Sequence, residues 1–231
     1  MDLEKLEYNT PMMQQWLGIR KRYPDSILLF RLGDFYELFE EDARIGSEIL
    51  GITLTSRTRG SDGRVPMCGI PYHALDNDVG KLIKAGHKAA ICEQVEDASE
   101  ASGMVDRDVV RVVTPGTVLD EKNLNQKENN YILGLEINKD IVGLAYADLS
   151  TGEVYVYQQE MDDLEKDLAA EILRIKPAEV ISSHQNYNRG QVLRALRVVP
   201  DANIYPRDDW EMNTRNFEEI LKEHFGVVGF K

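Results

Sequence analysis

Residues 27–39 read ILLFRLGDFYELF, and the reading of this stretch decides the first half of the chain. Ile27, Leu28, Leu29, Phe30, Arg31 and Leu32 form a mostly apolar run with the length of a buried strand, and Gly33 ends it. Asp34 is a good N-cap residue, and Glu37, three positions on, completes a capping-box spacing. A helix is therefore predicted from Asp34, with Leu38, Phe39, Ala43, Ile45, Ile49 and Leu50 as its apolar face. On that reading Phe35 and Glu37 occupy the first helical turn at an exposed tip. Residues two apart on a helix do not share a face, so one core cannot use both, whereas at a tip both reach outward to one ligand.

Working outward, strands are predicted around 27–32, 52–56, 65–69, 88–94 and 109–113, with helices between them, including one over 74–85. This is a mixed α/β sheet, and the first domain is expected to span 1–115, ending near Pro115 and Gly116. Residues 116–130 are polar with few apolar anchors and read as a linker. A second domain, 131–231, begins with three strands at 131–137, 141–149 and 153–158. A helix over 162–175 stops before Pro177, a strand follows at 179–182, and a last helix over 213–225 is closed by Gly226. The expected fold class is α/β, with two domains that are each a mixed β-sheet flanked by helices.

The 231 residues are 42% hydrophobic and 29% charged, and no apolar stretch has the length of a membrane span. With no secretory signal pattern at the N-terminus, a cytoplasmic location without membrane contact is expected. Cys68 and Cys92 lie in apolar runs without metal-ligand spacing and read as buried thiols. The formal net charge of −13 excludes bulk attraction to phosphate, so any nucleic-acid surface must be a local patch. Arg57, Arg59 and Arg64 surround Thr58, Gly60, Ser61 and Gly63, a small-residue segment where side chains and backbone amides can approach phosphates. Read blandly, the same segment is a solvated hairpin loop. His73, just before the predicted helix, is either a hydrogen-bonded junction residue or a phosphate contact. Arg107 is a further backbone candidate, although Asp106 and Asp108 weaken any positive field around it.

An apolar ring beside a hydrogen-bonding carboxylate fits one task well. Minor-groove proteins push such wedges between base steps at a cost of a few kcal/mol in unstacking, and a mispaired step yields more easily. A neighbouring polar group then checks the displaced base edge. The chain in fact resembles the MutS family of DNA mismatch-repair proteins. The resemblance rests on Thr10, Pro11, Met12 and Met13, GDFYELF at 33–39 with EDA at 41–43, LTSRTRG at 54–60, PMCGIPYHAL at 66–75, AICEQVED at 90–97 and VVRVVTPGT at 109–117. These blocks cover the first 117 residues; the remainder matches through strand pattern and order.

The resemblance implies that Phe35 stacks at a mispaired or unpaired base in double-stranded DNA while Glu37 hydrogen-bonds that base. A carboxylate accepts from a donor such as thymine N3–H, whereas an acceptor such as purine N7 demands its protonated form. It further implies an N-terminal two-domain part of a larger, ATP-dependent, homodimeric protein that is nucleoid-associated. The second domain would be a ribonuclease H-like connector that contacts a MutL-type repair protein. No GxxxxGK[ST] phosphate loop occurs, so no ATPase activity, no cofactor and no metal are expected in this chain; ATP and magnesium belong to the region of the family beyond it.

Two readings from other classes stand beside this one. A ribonuclease H-like nuclease would hold metals with strand-borne carboxylates, of which Asp148 and Glu179 are the candidates, but such sites need several converging carboxylates. An adaptor module would use the second domain chiefly as a protein-binding surface. Tyr155 and Tyr157 are then either an exposed edge or core.

Overall fold

The computed structural model describes residues 3–58, 64–95, 105–118, 128–200, 202–207 and 214–229. The chain divides into two compact units, Met1–Asn125 and Gln126–Lys231.

The first unit runs α1 (Pro11–Arg22), β1 (Ser26–Leu32), β2 (Phe35–Phe39), α2 (Glu40–Leu50), β3 (Thr55–Thr58), β4 (Arg64–Pro71), α3 (Leu75–Lys84), β5 (Lys88–Gln94) and β6 (Arg107–Val113). Its six strands form one mixed sheet in the order β3-β4-β2-β1-β5-β6, in which only β1 and β5 run parallel. The central strand β1 is apolar on both sides because both sides are covered. Leu28 and Phe30 join Met13, Trp16 and Ile19 of α1 in one core. Ile27 and Leu29 join Ala43 and Leu50 of α2, and Val79 and Leu82 of α3, in the other. Arg20 of α1 and Asp42 of α2 are buried between these layers, with Nη2 3.0 Å from Oδ1 and Nε 2.7 Å from Oδ2, while Asp42 Oδ2 also accepts the Leu28 amide at 3.0 Å.

The structure corrects the predicted helix start. Residues 35–39 are not a first helical turn but a strand paired antiparallel with β1, with Leu32 opposite Phe35 across the two-residue turn Gly33–Asp34. Gly33 has φ 62°, a left-handed conformation that glycine adopts without strain and that a type II′ hairpin requires at its first turn position. Asp34 therefore caps nothing. The helix begins six residues later at Glu40, with Phe39 in the N-cap position and no side-chain cap; Tyr8 donates its hydroxyl to Glu40 Oε1 at 2.7 Å. Pro115 and Gly116 are buried, and Val118 packs into the α2–α3 core, so the packed part of the first unit continues past Gly116.

The second unit holds β7 (Tyr131–Asn138), β8 (Ile141–Asp148), β9 (Glu153–Glu160), α4 (Leu164–Ile175), β10 (Glu179–Ser183), the short α5 (His184–Tyr187), α6 (Gly190–Leu196), β11 (Asn203–Arg207) and α7 (Thr214–Phe225). Its sheet has the order β11-β10-β7-β8-β9, an antiparallel meander extended by two parallel strands. Leu133, Leu135, Val142, Leu144 and Val180 meet Leu168 and Ile172 of α4 and Val192 of α6. Both units are mixed sheets flanked by helices, as the periodicity predicts.

Candidate nucleic-acid interface

On a strand, residues two apart share a face, so β2 places Phe35, Glu37 and Phe39 in a row on the α1 side of the sheet. Phe39 ends that row inside the core, its ring centroid 5.7 Å from Trp16. Tyr36 and Leu38 fill the opposite core. Phe35, at the hairpin end, is 47% exposed, and Glu37 beside it is half-buried. The ring is thus at the surface next to the carboxylate.

The neighbouring strand leaves room for both side chains. In the β2–β4 register Glu37 faces Gly69 and Phe35 faces Pro71. A Cβ built on Gly69 would stand 3.6 Å from Phe35 Cδ1 and 3.7 Å from Glu37 Cγ. The bare Gly69 backbone therefore forms the floor of a notch whose walls are the two side chains. No local pattern in the sequence marks Gly69, because its place opposite Glu37 follows from strand register.

Behind the hairpin, on the other face, Arg31 lies opposite Tyr36. Its guanidinium carbon sits 5.1 Å from the Tyr36 ring centroid and 4.9 Å from that of Tyr72. Arg31 Nε donates to the Gly33 carbonyl, Nη1 lies 3.8 Å from Glu93 Oε1, and Tyr36 donates its hydroxyl to the same carboxylate. Burial, followed by donation to Glu93, raises the Tyr36 pKa above its ordinary value. A charge within the run ILLFRL was the available signal for Arg31.

The predicted phosphate contacts fall in different places. Arg64 is exposed at the start of β4, paired with Thr58, and Arg57 of β3 pairs with Val65. Arg64 is seven residues along β4 from Pro71, roughly 23 Å from the Phe35 end at the rise of an extended strand. Nothing is described of the Arg57 side chain, and Arg59 lies outside the described residues. His73 is exposed in a 3-10 turn (Tyr72–Ala74) before α3, its ring 5.7 Å from Tyr72 and close in sequence to the hairpin contact between Tyr72 N and Asp34 O at 2.9 Å. Arg107 directs its donors inward: Nε to Arg31 O at 2.7 Å, Nη1 to Val105 O at 2.7 Å and to Gln15 Oε1 at 3.2 Å, with Phe30 under its guanidinium at 5.3 Å. Its position makes it a brace on the end of β1, and desolvation lowers its pKa.

The carboxylates proposed for a nuclease do not converge. Asp148 shares a face with its partner Tyr131, whereas Glu179 pairs with Ile132 and so points to the other side of the sheet. Asp148 is buried and accepts from Asn130 N at 2.9 Å, Ser150 N at 2.8 Å and Ser150 Oγ at 2.6 Å. Burial works against its ionised form, yet these hydrogen bonds outweigh it and hold the carboxyl below the usual range. Asp148 thus closes the β8–β9 turn. Among the described residues no group of three or more His, Cys, Asp or Glu side chains is placed to hold a metal ion. Tyr155 stacks on Tyr146 at 5.0 Å and is an exposed edge residue, while Tyr157 is half-buried against α4 and donates to Glu171. Cys68 and Cys92 are buried, which pushes their thiols up to about 11 and about 12.

The description MutS domain I matches residues 10–122, and MutS domain II matches residues 130–231. The chain is 52% identical over 221 residues to the DNA mismatch repair protein MutS of Dehalococcoides mccartyi (strain CBDB1), covering 95% of this chain and 24% of that protein. With the DNA mismatch repair protein MutS of Desulforamulus reducens it shares 44% identity over 218 residues, 94% of this chain and 25% of that one. That of Syntrophomonas wolfei is 51% identical over 172 residues, 74% and 20% respectively. The chain spans about a quarter of the length of the first two of these relatives. Two successive domain matches and high identity along nearly the whole chain show that it belongs to the MutS family and carries that family's domains I and II.

Proposed function

We propose that the first unit recognises mispaired or unpaired bases in duplex DNA, with Phe35 as the inserted ring and Glu37 as the hydrogen-bond partner of the displaced base. The observation that carries this reading is the half-exposed Phe35 ring standing in line with Glu37 on one strand face, over the Gly69 floor. An apolar ring inserted from the minor groove unstacks a base step at a cost of a few kcal/mol, and a mispaired step has already lost part of its pairing and stacking. The two-residue strand spacing supports simultaneous use of ring and carboxylate, because both project the same way from a rigid hairpin.

Arg64 and Arg57 are proposed as separate backbone contacts away from the mispair, since Arg64 leaves the β3–β4 pair on the face opposite Phe35 and the Arg57 position lies on the other face. With Arg64 roughly 23 Å from the wedge end of β4, it would meet backbone remote from the mispair rather than the step that the ring enters. His73, beside the hairpin, would serve the nearer backbone. A 2-aminopurine placed next to the mispair reads out insertion directly. Its emission should change on binding of the wild-type full-length protein and stay near the free-duplex value with Phe35→Ala; the same change in both proteins would rule out ring insertion.

The second unit is proposed as a connector that relays the DNA-bound state to the rest of an ATP-dependent, homodimeric protein and presents a surface to a MutL-type partner. The order of its strands supports the ribonuclease H-like reading, and the exposed Val154 and Val156 on edge strand β9 support a protein contact there. Surface substitutions at these two valines should reduce MutL binding without altering mismatch affinity.

A further inference from the structure

We propose that Arg31 is a positioning residue for the wedge, a role that rests on the mismatch-probe reading of Phe35. Phe35 is the first residue of β2, directly after the exposed two-residue turn, so the aim of its ring follows the conformation of Gly33 and Asp34. Both carbonyls of that turn are held. The Gly33 oxygen accepts from Arg31 Nε, and the Asp34 oxygen accepts from Tyr72 N at 2.9 Å. The two holds are joined, because the Arg31 guanidinium carbon lies over both the Tyr72 ring, 4.9 Å from its centroid, and the Tyr36 ring, 5.1 Å from its centroid. A planar cation with a fixed fork of donors is the side chain that can bond a carbonyl and stack on two rings at once.

Arg31 does not look like a phosphate contact. It projects from the sheet face opposite Phe35 and Glu37, its side chain is 20% exposed, and Glu93 at 3.8 Å balances its charge. Its effect on DNA must therefore pass through the hairpin. A loosened hairpin would still expose a phenyl ring, but would present it over a wider range of directions, which weakens insertion without changing contacts to matched DNA.

The test uses the full-length protein, with affinities measured for a mispaired and a matched duplex. Arg31→Met keeps the length and apolar contact of the side chain but removes its donors and charge. The mispair-over-match ratio is expected to fall about tenfold, the order of one charge-assisted hydrogen bond, with matched-duplex affinity and its salt slope unchanged. Arg31→Lys, which restores the cation but not the fork, should recover part of the ratio. In a Phe35→Ala background Arg31→Met should change the ratio no further, an outcome that a purely structural residue would not give. An unchanged ratio in Arg31→Met overturns the proposal, as does an equal loss on both duplexes with a flatter salt slope. If Arg31→Met does not fold, Tyr72→Leu removes one stacking ring from the exposed side, and the ratio should fall about threefold; no change there is equally fatal. Collapse of the ratio in Phe35→Ala but not in Arg31→Met or Tyr72→Leu refutes only the role of Arg31, whereas a ratio untouched by Phe35→Ala refutes the wedge itself.

Discussion

Replacing Phe35 with Ala tests the wedge, and its magnitude follows from the exposed ring. A phenylalanine buries about 150–250 Å² when fully enclosed. With 47% of the residue exposed, roughly 70–120 Å² remains to be covered by base faces. At about 25 cal/mol per Å² this amounts to about 2–3 kcal/mol, close to the roughly 1–3 kcal/mol found for stacking of one base on an aromatic side chain. A mispaired step can receive the ring cheaply, so Phe35→Ala should weaken the mispaired complex by about 30- to 100-fold. A matched step resists insertion at a cost of a few kcal/mol, which cancels the gain, so matched affinity should hardly change. The assay is equilibrium titration of labelled duplexes that differ in one base, at fixed salt, with the thermal midpoint of each protein measured alongside. Equal losses on both duplexes, or a loss that tracks a lowered midpoint, would make Phe35 a generic packing residue and refute the reasoning.

Three further outcomes are expected. Gly69→Ala places a methyl group at ordinary contact distance from Phe35 and Glu37, so the thermal midpoint should hold while mispair affinity falls as the notch fills; undiminished affinity would show that the floor is unused. Arg64→Ala should weaken mispaired and matched duplexes alike and lower the salt slope by about 1, checked by titration at several salt concentrations. Asp148→Asn should reduce stability by about 1–3 kcal/mol in urea unfolding at neutral pH, with no change in cleavage of duplex substrates in magnesium. Since the folded-state pKa of Asp148 is depressed, its contribution is present above the unfolded value and is lost as pH falls through the folded one, so the stability gap between the two proteins should begin to close only below about pH 4 and vanish once the pH is under the folded value.

The parts of the fold legible in the sequence are those whose burial is uniform. β1 is enclosed on both faces and reads as an apolar run; β7 and β8 have one covered face, and their alternation places them correctly. β2 is ambiguous locally, because Asp34 and Glu37 match a helix start while Gly33 and Asp34 equally match a two-residue hairpin turn. The choice between them lies in tertiary pairing: Tyr36 and Leu38 alternate toward a core that exists only once β4 lies alongside. Phe35 is exposed, as expected at a tip, while Glu37 is half-buried, and what brings the two side by side is a shared strand face rather than a shared helix tip. Arg31, Tyr36, Tyr72 and Glu93 are dispersed along the chain, and no local pattern announces that they meet.

A wedge on an acidic chain also makes sense as a way of limiting background. Each phosphate neutralised adds affinity for every duplex regardless of sequence, so a strongly basic surface would raise matched and mispaired binding together. What matters for finding a rare lesion is the ratio between the two, weighed against the excess of matched sites. With a formal net charge of −13, this chain gains little from indiscriminate attraction, and Arg64 stands well away from the probe. On the proposed reading, the selective contribution would come from a ring whose stacking gain is similar at any step it enters, set against an opening cost that depends on the step. Discrimination of this kind depends on stiffness: a ring free to turn on a loose hairpin would find partial contacts on intact DNA. The closed turn at Gly33 and Asp34, braced behind by Arg31 and at the end of β1 by Arg107, would supply that stiffness on the proposed reading without adding charge on the Phe35 face.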